Sequence, residues 1–551
     1  MTLLTDPLGQ SKAYLITFAL GILAHVGGFR RGEWDLYTAK LIVALPTVIA
    51  AGTYLLATVS DNGYGSYLEA FKAASTYSFV FLAGITSSIL VYRAFFHKLN
   101  HFPGPFTARL SNFYITARAV RKMHLFEEIQ NLHKQYGDFV RTGPSEISIT
   151  NPKAMQILNS SNSPCAKGPW YNIIHPMVSL QTDRDKKSHA QRRKAWDKAF
   201  SATALRDYEH RVVQYTDQLL DRIAKTQGEP LNITEWFHFY TLDILGDLAF
   251  GQSFGMLKDG VKHYYMELSE QNMVLIGAFS HLVWLFPIFK SVPGINYAYI
   301  KFQKWLRAQV EWRRRNKPAV SDVFSWILED FNTNENPTEQ DVLNLYGDAN
   351  LIVVAGSDTT AATLTCLFFE LCQHPDVCSQ LQAEIDKYIK EHGKADHASL
   401  YQLKFLQACV DETLRLHPVV PSGLQRVTPP EGLQIDDTFI PGNTIVKAPS
   451  YTMYRDERAF VRPLEFIPER WISRPELIKD SSAYAPFSIG RYSCVGKQLG
   501  LMEIRYVVTE ILTRYTFELA PNTDTKKFLD GKQDCFTLAL ADLNVIFTAR
   551  T

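Results

Sequence analysis

Three apolar runs crowd into the first hundred residues: Ala13–Phe29, Leu41–Val59 and Tyr77–Phe96. Each is close to the ~20 residues an α-helix needs to cross ~30 Å of hydrocarbon. In that solvent a lone segment must satisfy its own backbone polar groups, so it can only be helical. The runs predict a membrane region over residues 1–100 with about three transmembrane helices. Pro46 in the second is tolerable there, and the first, with His25 and several glycines, is the weakest. Asp6 and Lys12 stand where a cleaved leader carries a basic cluster, so the first run reads as a span. Arg30, Arg31 and Lys40 lie between the first two runs, and Asp61, Glu69 and Lys72 form a mildly acidic loop before the third. Arg93 and Lys98 follow the third, then Arg109, Arg118, Arg121 and Lys122. The positive-inside rule then puts the rest of the chain on the cytosolic side. "HFPGPF" (His101–Phe106) cannot continue a helix and predicts a stiff elbow.

Residues 101–551 read as one large domain without a linker-like break. The pattern is mostly helical from Ser188 to Asn316, with breaks near Pro287 and at Ser291–Gly294. Thr338, with Asp341 three residues on, predicts the cap of a helix running through apolar residues to about Cys372. "DVCSQLQAEIDKYIK" and "LYQLKFLQACVDETLRLHP" read as amphipathic helices. Phe139–Thr142 and Glu146–Thr150 predict a hairpin, and Asp436–Lys447 and Phe536–Thr548 have strand character. The class is mainly α with small β-sheets. Net charge is +1, with no basic stripe, which excludes a typical nucleic-acid partner. Seven cysteines, an odd number without a CxxC, fit a reducing compartment.

Chemistry concentrates in a few stretches. "PFSIGRYSCVGKQLG" fits F-x-x-G-x-x-x-C-x-G through Phe487, Gly490, Cys494 and Gly496, and a helix-like run follows. A lone cysteine is a small buried hydrophobe, a nucleophile or a metal ligand. Backbone N–H groups of a tight glycine loop can hold a thiolate, a nearby aromatic can shield it, and a glycine beyond it admits a flat cofactor. "AGSDTT" (Ala355–Thr360) lies inside an apolar helix, where polar groups need partners or a task. Gly356 predicts a pocket against that helix, and Asp358 with Thr359 can relay protons. "ETLR" sets Glu412 and Arg415 on one helix face, and "FIPERW" supplies Arg470 downstream.

Together these stretches resemble the cytochrome P450 superfamily, from residue 101 to the end of the sequence. The resemblance implies the P450 fold and haem b (heme b), with Cys494 as the axial thiolate ligand of iron. Phe487, Gly490 and Gly496 would shape the cofactor loop. Thr359 would serve oxygen activation, and Asp358 the proton path. Glu412, Arg415 and Arg470 would form a buried network supporting the haem pocket. "SHAQRRKAW" offers Arg193 and His189, and "LQRVTPP" Arg426, as partners of the haem propionates. The family usually has arginine two residues after the first loop glycine. Tyr492 stands there and Arg491 one earlier, which leaves the propionate partner in the loop open.

The chain has no dinucleotide fingerprint. The resemblance therefore implies electrons from NADPH through NADPH–cytochrome P450 reductase, with cytochrome b5 as a further donor. Lys194, Lys198 and Lys497 could steer an acidic partner. The three runs and the Gly-Arg-Tyr-x-Cys variant resemble fungal microsomal members that tailor secondary metabolites. That subgroup implies a multi-pass protein of the endoplasmic reticulum membrane with a cytosolic catalytic domain. It also implies a lipophilic small-molecule substrate. The pocket would draw on residues 168–180, 343–356 and 419–424 and on the turn at Phe536. Rivals are a P450-fold isomerase or dehydratase working without reductase, a membrane haem-binding sensor or carrier, and a cysteine-nucleophile hydrolase.

Overall fold

The computed structural model describes residues 7–58 and 66–550. The chain divides into two compact units. The first holds the described residues up to Ile115 together with Arg141–Ser145 and His281–Tyr297; the second holds the remainder.

In the first unit, helices Pro7–Ala24, Thr38–Thr58 and Tyr67–Val91 correspond to the apolar runs. Wide turns at His25–Phe29 and Tyr92–Phe96 extend the first and the third. All three are long and apolar enough to cross a membrane. A further helix, Glu339–Gln373, also meets that length and apolarity, yet 72% of its apolar window is buried against 0–11% for the N-terminal ones. Most side chains of the N-terminal helices therefore lack protein neighbours, and most of those of Glu339–Gln373 have them. The first and third helices approach closely through glycine. A Cβ on Gly21 would lie 2.2 Å from the Phe81 carbonyl oxygen, and one on Gly84 2.2 Å from that of Phe18. His25 and Ser88 share a 2.8 Å hydrogen bond near the same face. Arg30, just past the first helix, stacks over Tyr92 at the end of the third, so the two helices run in the same direction.

The third helix begins at Tyr67, not Tyr77, because the Ser66 hydroxyl caps it by accepting the Glu69 N–H. Glu69 and Lys72 are thus helical, although the sequence pattern predicted a loop. Asp61, and Val59 at the end of the second run, lie outside the described residues. The elbow is stiff because a buried arginine clamps it. The Arg141 N–H donates to the Pro103 carbonyl, and its guanidinium donates to Asn100 Oδ1 and the Pro144 carbonyl. Gly104 has φ +148°, and a Cβ there would meet the Arg141 carbonyl oxygen at 2.5 Å. Leu285–Ser291 is a helix packed on Thr38–Thr58. Pro287 lies in its first turn, where no N–H is needed, so the proline predicted to break a helix sits at the start of one.

In the second unit, Glu339–Gln373 runs through the core against Ile233–Phe250. Its start is the predicted one: Thr338 and Asp341 form a capping box. Pro375–His392 and Lys404–Leu416 are the predicted amphipathic helices, while His397–Leu400 is a separate turn of helix. Of the predicted hairpin, strand Glu146–Ile149 belongs to this unit, and strand Phe139–Gly143 has its last three residues in the first. Glu146–Ile149 pairs parallel with Ile445–Lys447, which pairs antiparallel with Arg426–Val427. That strand pairs antiparallel with Ala166–Lys167, in a register that puts Lys167 opposite Arg426. A second sheet joins Pro230–Asn232, Asn544–Ala549 and Tyr515–Leu519. The three-residue strand Pro230–Asn232 is too short to leave a period in the sequence. Strands Gln533–Cys535 and Thr537–Ala539 form a hairpin that turns at Phe536, with φ +77°.

Candidate active site

The cysteine loop is held by its own backbone. The Cys494 N–H donates to the Phe487 carbonyl at 2.8 Å, which closes the loop just before helix Lys497–Arg514. Gly490 has φ +68°, and a Cβ there would fall 2.4 Å from the Asn159 carbonyl oxygen and 2.5 Å from the Ser160 and Ser161 backbone. Only glycine meets both demands. Gly496 differs: a Cβ there would meet just Phe200, at an ordinary 3.8 Å, so protein packing does not require its glycine. Cys494 is solvent-accessible although it lies deep among protein atoms. On balance its thiol is pushed up by burial, against the smaller opposing pull of the Gly496 and Lys497 N–H groups and of the Arg193 and Lys497 charges.

The helix after the cysteine crosses the long helix at the second motif. A Cβ on Gly500 would touch the Thr360 hydroxyl at 3.1 Å. Ala355 is exposed within a largely buried helix, and the Thr359 hydroxyl donates to its carbonyl at 3.0 Å. Asp358 faces another way. It accepts from Thr537 and Ser357, both at 3.4 Å, and lies 3.7 Å from His238 Nε2. Acid and alcohol are sequence neighbours with separate partners. Gly356 leaves no pocket, contrary to the expectation: a Cβ there would press on Leu245 of Ile233–Phe250 at 2.6 Å, so its role is close helix packing.

Glu412, Arg415 and Arg470 come together with no exposure at all. Glu412 accepts from Arg415 Nε and Nη2, Arg470 Nε, Trp471 Nε1 and the Ile467 N–H, all at 2.8–2.9 Å. Both guanidiniums spend further donors on carbonyls, Arg415 on Tyr454, Pro463 and Glu465. Arg470 donates to Val461, Leu477 and Arg462. This network ties helix Lys404–Leu416 to residues 454–477, the segment that precedes the cysteine loop.

The cations expected around a cofactor are distributed unevenly. Arg193 donates Nη1 to the Ser493 carbonyl and Nε to Asp197, both at 2.7 Å, so it braces the loop next to Cys494. His189 is buried, and its pKa falls to about 3 through burial and the neighbouring Lys167, Arg193, Arg192 and Arg426, so it is a neutral ring. Arg426 is 1% exposed; Nη1 donates to Tyr171 Oη and the Gln425 carbonyl, while Nε and Nη2 have no partner. The buried Tyr492 hydroxyl also has none. Arg491 donates to the Ser161 and Ser163 carbonyls, away from this cluster. Sequence reasoning missed Lys167, buried beside Tyr492, because one lysine in "CAKGPWY" carries no local signal.

Orphaned buried donors next to an accessible cysteine fit an anionic, flat cofactor that brings most of its own metal ligands. Among the described residues, no cluster of three or more His, Cys, Asp or Glu could hold a metal ion alone. This is the arrangement of a haem-thiolate enzyme.

The comparisons agree. The family model of cytochrome P450 matches residues 103–545, and the chain belongs to the cytochrome P450 family. Cytochrome P450 monooxygenase FCK2 of Fusarium pseudograminearum (strain CS3096) is 52% identical over 538 residues, covering 98% of each chain. Tryprostatin B 6-hydroxylase of Aspergillus fumigatus is 36% identical over 556 residues, covering 100% of this chain and 99% of its own. A solved structure described as the cytochrome P450DA heme domain matches with TM-score 0.66 at 18% identity. It covers 79% of this chain and 95% of that one, which shows the fold. The chain is an oxidoreductase of the monooxygenase class, and its family binds haem iron through a cysteine thiolate.

Proposed function

We propose that this chain is a membrane-anchored monooxygenase that hydroxylates or otherwise oxidises a lipophilic small molecule. It would use O2 and electrons passed from NADPH through NADPH–cytochrome P450 reductase, with cytochrome b5 as a further donor. The observation that carries the reading is Cys494, in a glycine-dependent loop closed by its own N–H on the Phe487 carbonyl, one helix crossing from the Asp358–Thr359 pair. Bound at Cys494, the haem supplies dioxygen activation.

The chain's residues do the rest. Phe487, Gly490 and Gly496 shape the loop, and Glu412, Arg415 and Arg470 keep it rigid. Arg426 and His189 would lie toward the haem propionates, while Arg193, which donates to the Ser493 carbonyl and Asp197, would brace the loop beside them. Asp358, partly exposed, would exchange a proton with solvent, and the Thr359 hydroxyl, which donates to the Ala355 carbonyl, would hold one on its own side of the helix. Trp170 stacks on Phe536 at 4.2 Å, and the Leu538 N–H donates to the Val419 carbonyl. These contacts join three of the predicted pocket segments into an aromatic and apolar wall suited to a lipophilic substrate. The fungal relatives, one named for hydroxylating tryprostatin B, favour a role in secondary metabolite synthesis.

Residues 1–100 would be the membrane region and 101–551 the catalytic domain. The basic turn at Arg30 and Arg31 lies at the same end of the helices as Tyr92 and Arg93. By the positive-inside rule this end would face the cytosol with the catalytic domain, and the protein would be a multi-pass one of the endoplasmic reticulum membrane. Lys194, Lys198 and Lys497 are exposed and suit an acidic electron donor.

The test uses microsomes holding the full chain and a reductase. The reduced, carbon-monoxide-bound spectrum should carry a thiolate signature that Cys494→Ala abolishes, and NADPH should drive conversion of a pathway intermediate, read by mass spectrometry. A signature that survives the substitution refutes the ligand. Haem without product would favour a sensor or carrier; turnover without reductase, an isomerase or dehydratase.

A further inference from the structure

Two buried cations of the second unit share one aromatic ring. The Tyr492 ring has Lys167 Nζ 4.6 Å from its centre and the Arg426 guanidinium carbon at 5.0 Å. His189 meets the same ring edge-on at 4.8 Å. The strand register that sets Lys167 opposite Arg426 brings the cations together, and their exposures are 3% and 1%.

Local carboxylates are already engaged. Asp183 accepts from Ser188, Arg192 and the Asp185 N–H. Asp348 accepts from Arg192 and the Leu180 N–H. Lys167 Nζ donates to the Leu180 carbonyl at 3.0 Å, and its pKa falls to about 7 through burial and the nearby Arg426. Arg426 Nε and Nη2 and the Tyr492 hydroxyl have no partner. Buried cations without a counter-ion are costly, and so are buried donors without acceptors. Both deficits close together if an anion with several acceptor oxygens arrives from outside the chain. A pair of carboxylates meets that need, and an arginine fork receives one in bidentate fashion.

We propose that Lys167 and Tyr492 join Arg426 as a cradle for the haem carboxylates, in place of the arginine that the cysteine loop lacks at position 492. The cradle rests on the haem-thiolate reading of Cys494. Tyr492 has two tasks in it: its hydroxyl donates to a carboxylate, and its ring face holds both cations beside that carboxylate. Lys167 supplies the charge that neutral His189 does not.

The experiment follows haem transfer from detergent-solubilised full-length holoprotein to excess apomyoglobin, together with the haem reduction potential. Lys167→Met keeps the length of the side chain and removes its charge. It should speed haem loss at least tenfold and lower the potential, because a positive charge near the carboxylates favours the reduced haem. Lys167→Arg should restore both values to near wild type, and Tyr492→Phe should speed loss at least threefold. Wild-type transfer rates in Lys167→Met and Tyr492→Phe would overturn the cradle. Faster loss at an unchanged potential would also overturn it, since that assigns Lys167 to packing. If Lys167→Met accumulates no holoprotein, Lys167→Gln is read by the same two criteria. The thiolate signature of the reduced, carbon-monoxide-bound wild type reports separately on Cys494: its absence would sink that reading, and its presence leaves the cradle to be judged by the variants.

Discussion

Glu412→Gln exchanges one oxygen for an amide nitrogen at the centre of the buried Glu–Arg–Arg network. Volume is unchanged, so no cavity term enters. Before the exchange, one carboxylate serves two guanidiniums of zero exposure and accepts five hydrogen bonds. Afterwards both arginines are buried without a counter-charge. With the amide nitrogen in place of Oε2, its N–H groups also point at donors, Arg415 Nε and Trp471 Nε1. Breaking a buried pair in this way costs about 3–5 kcal/mol. At about 1.4 kcal/mol per tenfold, the folded-to-unfolded ratio should fall by a factor of roughly 10²–10⁴. A typical protein has only ~5–15 kcal/mol in all, so the variant should accumulate poorly and hold haem substoichiometrically. Denaturant unfolding of the solubilised full-length protein, followed by circular dichroism, measures the loss. A variant within ~1 kcal/mol of wild type would refute the claim that the network is held by charge, since an exposed pair is worth no more.

Other positions test separate parts of the account. Gly490→Ala imposes a left-handed φ, costing about 1 kcal/mol or more, and drives its Cβ into the backbone of Asn159–Ser161; haem per protein should fall sharply, and full loading would contradict the close approach. Glu503 is buried with Oε2 unpartnered, and burial raises its pKa from 4.5 to about 8. The native state then holds a proton that the unfolded chain releases, so stability falls as pH rises from about 4.5 through 8. Glu503→Gln should match wild type near pH 5 and melt higher at pH 8–9, and equal melting at both ends would remove the buried acid from the account. Gly84→Leu should force the first and third membrane helices apart. Cysteines placed at Tyr14 and Tyr77, whose rings lie 5.2 Å apart, should cross-link readily in the parent and several-fold less in the variant; equal cross-linking would refute the glycine contact.

Much of the site was legible because its signals are local. Ser66, Thr338 and Gly490 of the cysteine loop act within a few residues of themselves, through caps and a positive φ. The Thr338 cap is visible in the sequence because its Asp341 partner lies three residues on, whereas the Ser66 cap is hidden because the apolar run starts later than the helix. The Glu412–Arg415 spacing places two charges on one face wherever the helix lies, but only the fold shows that both are fully buried. Arg193 was expected beside the cofactor, and it spends two nitrogens on Ser493 and Asp197. Gly356 was expected to leave space, and Leu245, from another helix, fills it.

The chain's own letters determined which segments are apolar for long enough to match a bilayer, where helices cap, and which loop can hold a thiolate. Periodicity, backbone freedom and side-chain chemistry operate over one to a few turns, so a linear reading captures them. Tertiary structure alone decided which apolar helix is wrapped by protein and which face outward, that Lys167 stands opposite Arg426, and that His189 stays neutral. Those outcomes depend on dielectric surroundings and on charges brought together from distant strands and helices, and such fields exist only once the chain has folded.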